Sequence, residues 1–346
     1  MKGVVYTGAR QCEVREVPAP RPGYDEVLIR VMAAGICGSD LHVYRSADRS
    51  DQVRGHEACG VVEKSGPGVI RLKAGDRVAV HHHFGCGVCA ECARGETVAC
   101  SVRHYVVGGN VPGAFAEYLT APERNCILLP SGAGYEDGAF MACVGGTAFG
   151  ALRRLGAKAH DCLAVLGLGP VGLSCLLVAK ALGLRVIGID LAPVRVELAR
   201  QCGADAAVLS SDNDPVEAIH AFSRTGDLSE RTGADFVIEA SGSAAARSII
   251  LPSLRREGKA AILGVGSDEK VINPSDIHGK AATLIGSVVF PLGWMWDLAR
   301  FMETSGLKFE PAVTHRFPLE NAADALQAAD ETKGGKVIIE PQEEPS

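Results

Sequence analysis

The sequence predicts an α/β protein of two domains, a β-rich barrel-like part followed by a doubly wound parallel sheet. Three observations carry this. At 346 residues the chain exceeds one compact core and points to about two domains. Before residue 137 the chain reads as short β-rich runs broken by Gly and Pro turns, with no long helical period. From Asp161 onward, strand-length and helix-length runs alternate over about 130 residues.

The first runs are GVVYTG, EVLIRVMAAGIC, CGVVEKSG, DRVAVHH and FAEYLTAP. Pro22-Gly23, Gly66-Pro67-Gly68 and Pro112-Gly113 punctuate them, a grammar that suits barrels and sandwiches. In the second part CLAVLG (162–167) reads as a buried strand and PVGLSCLLVAKALG (170–183) as a helix stopped by glycine. RVIGID (185–190) is the next strand and PVRVELARQCG (193–203) the next helix. The alternation continues through AAVLS, DPVEAIHAFS, ADFVIEAS, AAARSIILPSL and KAAILGVG, and TLIGSVVF (283–290) adds a sixth strand. WMWDLARFMETSG then reads as a helix, GGKVIIEP as a last strand, and QEEPS as a loose tail.

Composition excludes several classes. Hydrophobic residues make up 47% and charged residues 22%, so the chain is not disordered. A net charge of −6 leaves no broad basic surface for nucleic acid. No apolar run reaches the roughly 18 residues of a membrane span. The start, MKGVVYTGAR, lacks a signal-peptide core, so a cytoplasmic location is expected. In that reducing compartment the twelve cysteines need a reading other than disulfides, and metal ligation is the obvious one.

The stretch VLGLGPVGL supplies Gly167, Gly169 and Gly172 in a G-x-G-x-x-G pattern that follows a predicted strand and opens a predicted helix. Gly167 allows the tight turn, Gly169 lets backbone approach a pyrophosphate, and Gly172 lets helix and strand pack closely. Pro170 and Val171 open the helix, whose N-terminus attracts phosphate. Asp190 closes the next strand, where a carboxylate bonds the ribose hydroxyls of NAD and repels the extra phosphate of NADP. Arg195, five residues on, could serve NADP, but the intact acid favours NAD.

Cys86, Cys89, Cys92 and Cys100 have the spacing C-x2-C-x2-C-x7-C, with Gly85, Gly87 and Gly95 at the bends. Four thiolates on such a loop form a closed tetrahedral cage suited to zinc, with an iron–sulfur cluster as the rival occupant. A closed cage leaves no position for substrate, so this lobe is expected to stabilise rather than react. A second set is dispersed: Cys37, Ser39, Asp40 and His42 in AGICGSDLH, His56 and Glu57 in RGHEACG, and Cys143 in FMACVGG. Spacing alone does not join them.

The ordered set GHE, the four-cysteine lobe and GLGPVG resembles the zinc-dependent medium-chain alcohol and polyol dehydrogenases over essentially the whole chain, and CGSDLHVY looks most like the sorbitol, idonate and threonine dehydrogenase branch. The resemblance implies a GroES-like β-barrel catalytic domain over 1–146 with a structural zinc lobe at 84–102. It further implies a Rossmann NAD-binding domain over 147–289 and a return segment over 290–346. It implies two zinc ions per chain, a catalytic one on Cys37, His56 and Cys143 with Glu57 able to approach, and a structural one on the four cysteines. Asp40 would orient His56. The metal would lower the pKa of a substrate hydroxyl, and the carbinol carbon would give hydride to the nicotinamide. Ser39 would take the proton and pass it through the cofactor ribose to His42. Lys336 would assist at the cofactor.

One departure stands out. Polyol and threonine dehydrogenases commonly place Glu-Pro where this chain has MACVGG, and a cysteine there looks more like simple alcohol dehydrogenases. The implied substrate is a secondary alcohol within a polyol, sugar acid or small diol. A primary or aromatic alcohol and a threonine-like amino-alcohol acid are the alternatives. A noncatalytic NAD-binding protein would be expected to lose the catalytic ligands. Phe290, Trp294 and Trp296 could wall the substrate cleft or form a helix packing face. Gly38 stands where some relatives carry a basic residue toward cofactor phosphate. His81, His82 and His83 read as a packed or solvated strand end. The resemblance also implies a homodimer or homotetramer, paired through TLIGSVVF.

Overall fold

The computed structural model describes residues 1–224, 232–266, 269–331 and 334–342. These fall into two compact units. One comprises residues 1–146, 289–331 and 336–342; the other comprises 147–288 with 334 and 335. Most of the QEEPS tail lies outside the described residues.

The first unit is organised on a seven-stranded sheet whose central member is Glu26–Gly35. One long edge of this strand pairs with Glu57–Ser65, which pairs onward to Arg77–Val80 and Cys126–Leu128. Its other edge is shared by Tyr118–Pro122 near the start and Lys336–Glu340 near the end. Val313–Pro318 lies outermost, parallel to Lys336–Glu340. Alternate side chains, among them Val27, Ile29, Val31, Val62, Val78, Leu119, Val337 and Ile339, fill the core. A separate hairpin, Lys2–Gly8 with Gln11–Glu16, covers part of it.

The second unit is a six-stranded parallel sheet. Its order is Ala206–Leu209, Arg185–Asp190, Cys162–Leu166, Ala234–Glu239, Leu254–Ile262 and Thr283–Gly286. In chain order this is 3-2-1-4-5-6, so the topology reverses between the first and fourth strands. CLAVL is buried at every position, as expected of a strand covered on both faces.

Several elements differ from the sequence expectation. The sixth strand stops at Gly286 rather than Phe290, with Ser287 to Pro291 irregular. GSDLHVYR forms a helix, Gly38–Arg45, within a region expected to be only β. AAARSIILPSL divides into Ala244–Ser248 and Ile250–Ser253, with proline at the third position of the second piece. Strand Val313–Pro318 and helix Ala322–Glu331 complete the first unit where no element was expected. Among the described residues no helix is long and apolar enough to cross a membrane.

Candidate active site and metal centres

Three separate elements bring the dispersed set together. Cys37 sits at the N-terminal cap of helix Gly38–Arg45. His56 and Glu57 enter strand Glu57–Ser65, and Cys143 occupies the break between helices Tyr135–Ala142 and Val144–Leu155. One ligand atom from each of Cys37, His56, Glu57 and Cys143 lies within 4.8 Å of every other. Gly55 makes the approach to His56 possible: its φ is +87°, and a Cβ there would stand 2.4 Å from the Phe115 ring.

Asp40 organises two of these groups. Its Oδ2 accepts from Cys37 N at 2.9 Å, and its Oδ1 stands 3.1 Å from His56 Nδ1. With Nδ1 as donor to the carboxylate, Nε2 is left as the metal-binding nitrogen. Against the opposing effect of burial, the Asp40 charge and hydrogen bond hold the His56 pKa well above its ordinary value. A hydrogen bond from the Cys143 thiol, aided by His56, pushes the Cys37 thiol well below the usual range. Cys143 moves the opposite way because it keeps the shared proton. Two sulfurs and one aimed imidazole form a three-donor set of the open catalytic type, so the residues fit a zinc ion.

Glu57 stands behind this set. Burial pushes its carboxyl up to about 7, opposed by the charge of Lys336. Lys336 Nζ lies 2.5 Å from Glu57 Oε2 and donates to Ile36 O at 2.9 Å. Gly35 leaves the space: a Cβ there would fall 2.2 Å from Glu57 Oε2 and 2.8 Å from Lys336 Cε. Lys336, expected at the cofactor, is thus fully buried with its ammonium turned to Glu57.

Ser39 and His42 are both exposed, three residues apart on one face of helix Gly38–Arg45. Gly38 is exposed, with open space where a side chain would stand. His81 and His82 are buried: His81 Nε2 donates to Phe290 O at 2.9 Å, and His82 Nδ1 to Ala142 O at 2.7 Å. His83 is half-buried and meets His104 at 2.7 Å. The strand-end reading of the three histidines is therefore the packed one. Phe290 is a packing residue, edge-on to the His81 ring at 4.8 Å and filling the space left by Gly146. Trp294 is half-buried in the first turn of helix Leu292–Ser305, and Trp296 lies beneath the Arg71 guanidinium at 4.8 Å.

The four-cysteine loop is folded as a cage. The Sγ atoms of Cys86 and Cys92 are 3.9 Å apart, and those of Cys89 and Cys100 are 3.8 Å apart. A tetrahedron with metal–sulfur bonds of ~2.3 Å has edges of ~3.8 Å. A disulfide would need about 2.05 Å, and a cluster would interpose several atoms between the sulfurs. The donors fit one tetrahedral ion. Backbone N–H groups of Val88 and Cys89 point at Cys86 Sγ, and those of Cys86 and Arg103 at Cys100 Sγ. These last two bring the Cys100 thiol down to about 6. A Cβ on Gly85 would lie 2.3 Å from Cys92 Sγ, so only glycine fits there.

The glycine fingerprint lies at the carboxyl end of strand Cys162–Leu166. Gly167 has φ +94°, and a Cβ on Gly172 would come within 1.9 Å of Gly167 O. Gly169 caps helix Pro170–Ala181 without a side-chain cap, and Val171 is in its first turn. The residues therefore fit a pyrophosphate at the helix N-terminus. Asp190 Oδ2 accepts from Leu168 N at 2.7 Å and Oδ1 from Ala192 N at 2.9 Å, fixing the acid beside the turn. Arg195 lies 3.8 Å from Asp190 and donates to Gly334 O. Sequence reasoning missed Glu239, a buried carboxylate at the end of the fourth strand, whose only signal was an acid closing an apolar run.

Comparison with known proteins agrees with both units. Residues 23–131 match the model of the alcohol dehydrogenase GroES-like domain, and residues 170–302 match that of the zinc-binding dehydrogenase domain. The zinc-type alcohol dehydrogenase-like protein YphC of Escherichia coli (strain K12) is 35% identical over 96% of each chain. Sorbitol dehydrogenase of Bacillus subtilis (strain 168) is 32% identical over 99% of this chain and 97% of its own. The solved alcohol dehydrogenase TADH from Thermus sp. ATN1 is 32% identical, covers 98% of this chain and 99% of its own, and superposes with a TM-score of 0.89. This chain belongs to the zinc-type medium-chain dehydrogenase/reductase family of alcohol and polyol dehydrogenases, a family of oxidoreductases.

Proposed function

We propose that the protein oxidises a secondary hydroxyl of a polyol, sugar acid or small diol to the carbonyl with NAD. The observation that carries this is the convergence of Cys37, His56, Glu57 and Cys143 within 4.8 Å. A zinc ion there supplies Lewis acidity that lowers the pKa of an alcohol hydroxyl, and NAD supplies the hydride acceptor. The residues do the rest. Asp40 holds His56 in one tautomer and orientation. Lys336 holds Glu57 against the ligand set. Ser39 Oγ receives the departing proton, and the exposed His42 imidazole hands it to solvent. Asp190 selects a free ribose over a phosphorylated one. The second zinc, on the four cysteines, shapes the lobe at 84–102.

Likeness to a sorbitol dehydrogenase supports the polyol class. Cys143 favours a second reading, a primary or aromatic alcohol, because a cysteine stands in MACVGG where polyol enzymes commonly place Glu-Pro. Thr283–Gly286 forms one edge of the parallel sheet, which supports pairing into a homodimer or homotetramer. An NAD-reduction screen over polyols, sugar acids, diols, amino-alcohol acids and simple alcohols separates the readings. The polyol reading holds if secondary hydroxyls give the higher kcat/KM, and it fails if primary alcohols do. Higher kcat/KM with NADP than with NAD overturns the cofactor preference.

A further inference from the structure

Glu239 is a fully buried carboxylate that the reaction described above does not use. It ends strand Ala234–Glu239, which pairs with Cys162–Leu166. These strands flank the point where the sheet order reverses, the crevice in which doubly wound sheets hold ligands. Ala234–Glu239 also opens the second mononucleotide half of such a fold.

The residue ties together three loops at this crevice. Its Oε1 accepts from Ser241 N at 2.7 Å, Ser241 Oγ at 2.8 Å and Gly242 N at 2.7 Å. Its own carbonyl accepts from Leu263 N at 2.8 Å and Gly264 N at 3.0 Å. Arg247 Nε stands 3.6 Å from Oε2 while Arg247 Nη2 donates to Gly264 O at 2.9 Å. The loops after the fourth and fifth strands are thereby joined. The third loop is the glycine fingerprint itself. A Cβ on Gly167 would lie 2.8 Å from Ser241 N, and Ala240 N donates to Leu166 O at 2.8 Å. The placement of Ser241 therefore sets what backs the Gly167 turn. Burying a carboxylate is unfavourable unless its donors are in place. Three donors on Oε1 and the Arg247 guanidinium near Oε2 offset that cost in this loop arrangement, which favours it before any ligand arrives.

We propose that Glu239 is a positioning residue for dinucleotide binding, holding the turn at 240–242 against Gly167 so that the crevice is preformed. The proposal rests on the NAD reading above. The test is fluorescence titration of NADH into the zinc-replete protein without alcohol, together with separate KM values for NAD and for alcohol. Glu239→Ala and Glu239→Asp, which lose the reach, are expected to raise the NADH Kd and the NAD KM about tenfold or more. The alcohol KM should stay within about twofold, since the affected contacts lie only in the nucleotide-binding unit. Glu239→Gln keeps the reach and an acceptor oxygen, and should return to within about threefold of wild type. Ser241→Ala removes one donor and should weaken NADH by about threefold. An unchanged Kd in Glu239→Ala or Ser241→Ala overturns the proposal, and so does a Glu239→Gln loss as large as that of Glu239→Ala. If Glu239→Ala does not fold, Ser241→Ala and Glu239→Gln still decide. Failure of the wild-type protein to bind NADH is a different result, which removes the cofactor reading itself.

Discussion

Lys336 Nζ stands 2.5 Å from Glu57 Oε2, with both side chains fully buried and the end of strand Glu26–Gly35 between their two strands. Only Gly35 in that strand permits the contact. Removing one partner leaves an uncompensated buried charge, an effect of about 3–5 kcal/mol. Glu57→Gln leaves the Lys336 ammonium buried without its partner and should lower stability by an amount in that range, whereas Lys336→Met should cost less, since the Glu57 carboxyl, already pushed up to about 7, takes a proton once the lysine is gone. The double variant Lys336→Met/Glu57→Gln should recover part of the loss. Denaturant titration of the four proteins checks this. Additive losses in the double variant would show that the two groups do not interact.

Asp40 faces His56 Nδ1 at 3.1 Å and would act on a bound metal through that ring. Asp40→Asn keeps a hydrogen-bonding side chain and removes the charge, while His56→Ala and Cys37→Ala remove ligands. The ligand variants should abolish turnover with a folded chain, and full activity in either would refute a zinc at this set. Asp40→Asn should weaken metal retention about 10–100-fold, the usual effect of losing such a partner. Competition for zinc with a chelator of known affinity measures it. Retention equal to wild type would remove the orienting role from Asp40.

Legibility in the sequence followed from how local each signal is. The parallel sheet was readable because each buried strand is followed at once by a helix-length run, and because Gly167, Gly169, Gly172 and Asp190 fall within one strand–helix–strand unit. Helix Gly38–Arg45 was not, because only Asp40 and Tyr44 are buried and no apolar period forms. Strand Leu254–Ile262 was read late because its first half, LRREG, is charged. The four-cysteine cage is local and its geometry matches its spacing. Cys37, His56 and Cys143 lie on three elements that only the tertiary fold brings together, so nothing but family resemblance could join them. The Glu57–Lys336 pair spans nearly the whole chain, and neither residue signals the other.

The four-cysteine lobe should carry stability rather than chemistry. Gly95 O accepts from Leu292 N at 2.8 Å, so the lobe also holds the start of helix Leu292–Ser305. Cys89→Ala breaks the cage and should lower Tm by several degrees, with secondary losses of activity as the 290–296 segment loosens. Differential scanning calorimetry with parallel zinc analysis checks this. Lost activity at an unchanged Tm would reverse the division between the two metal sites.

His81 and His83 predict acid sensitivity of defined sign. Burial holds His81 below its ordinary pKa, and burial with its neighbours takes His83 down to about 3. In the unfolded chain both titrate near 6.5. The folded state therefore favours the neutral rings, and their contribution is fully present above pH ~6.5. As pH falls below that value the unfolded chain binds protons that the folded chain does not, so stability declines, at a slope of at most about 1.4 kcal/mol per pH unit for each such group. The loss ends only when the folded-state pKa is reached. His81→Gln can still donate to Phe290 O but cannot titrate, so its stability between pH 6.5 and 5 should fall less steeply than that of the wild type. Urea unfolding at a series of pH values measures the slope. Identical slopes for His81→Gln and wild type would show that His81 does not titrate differently in the two states.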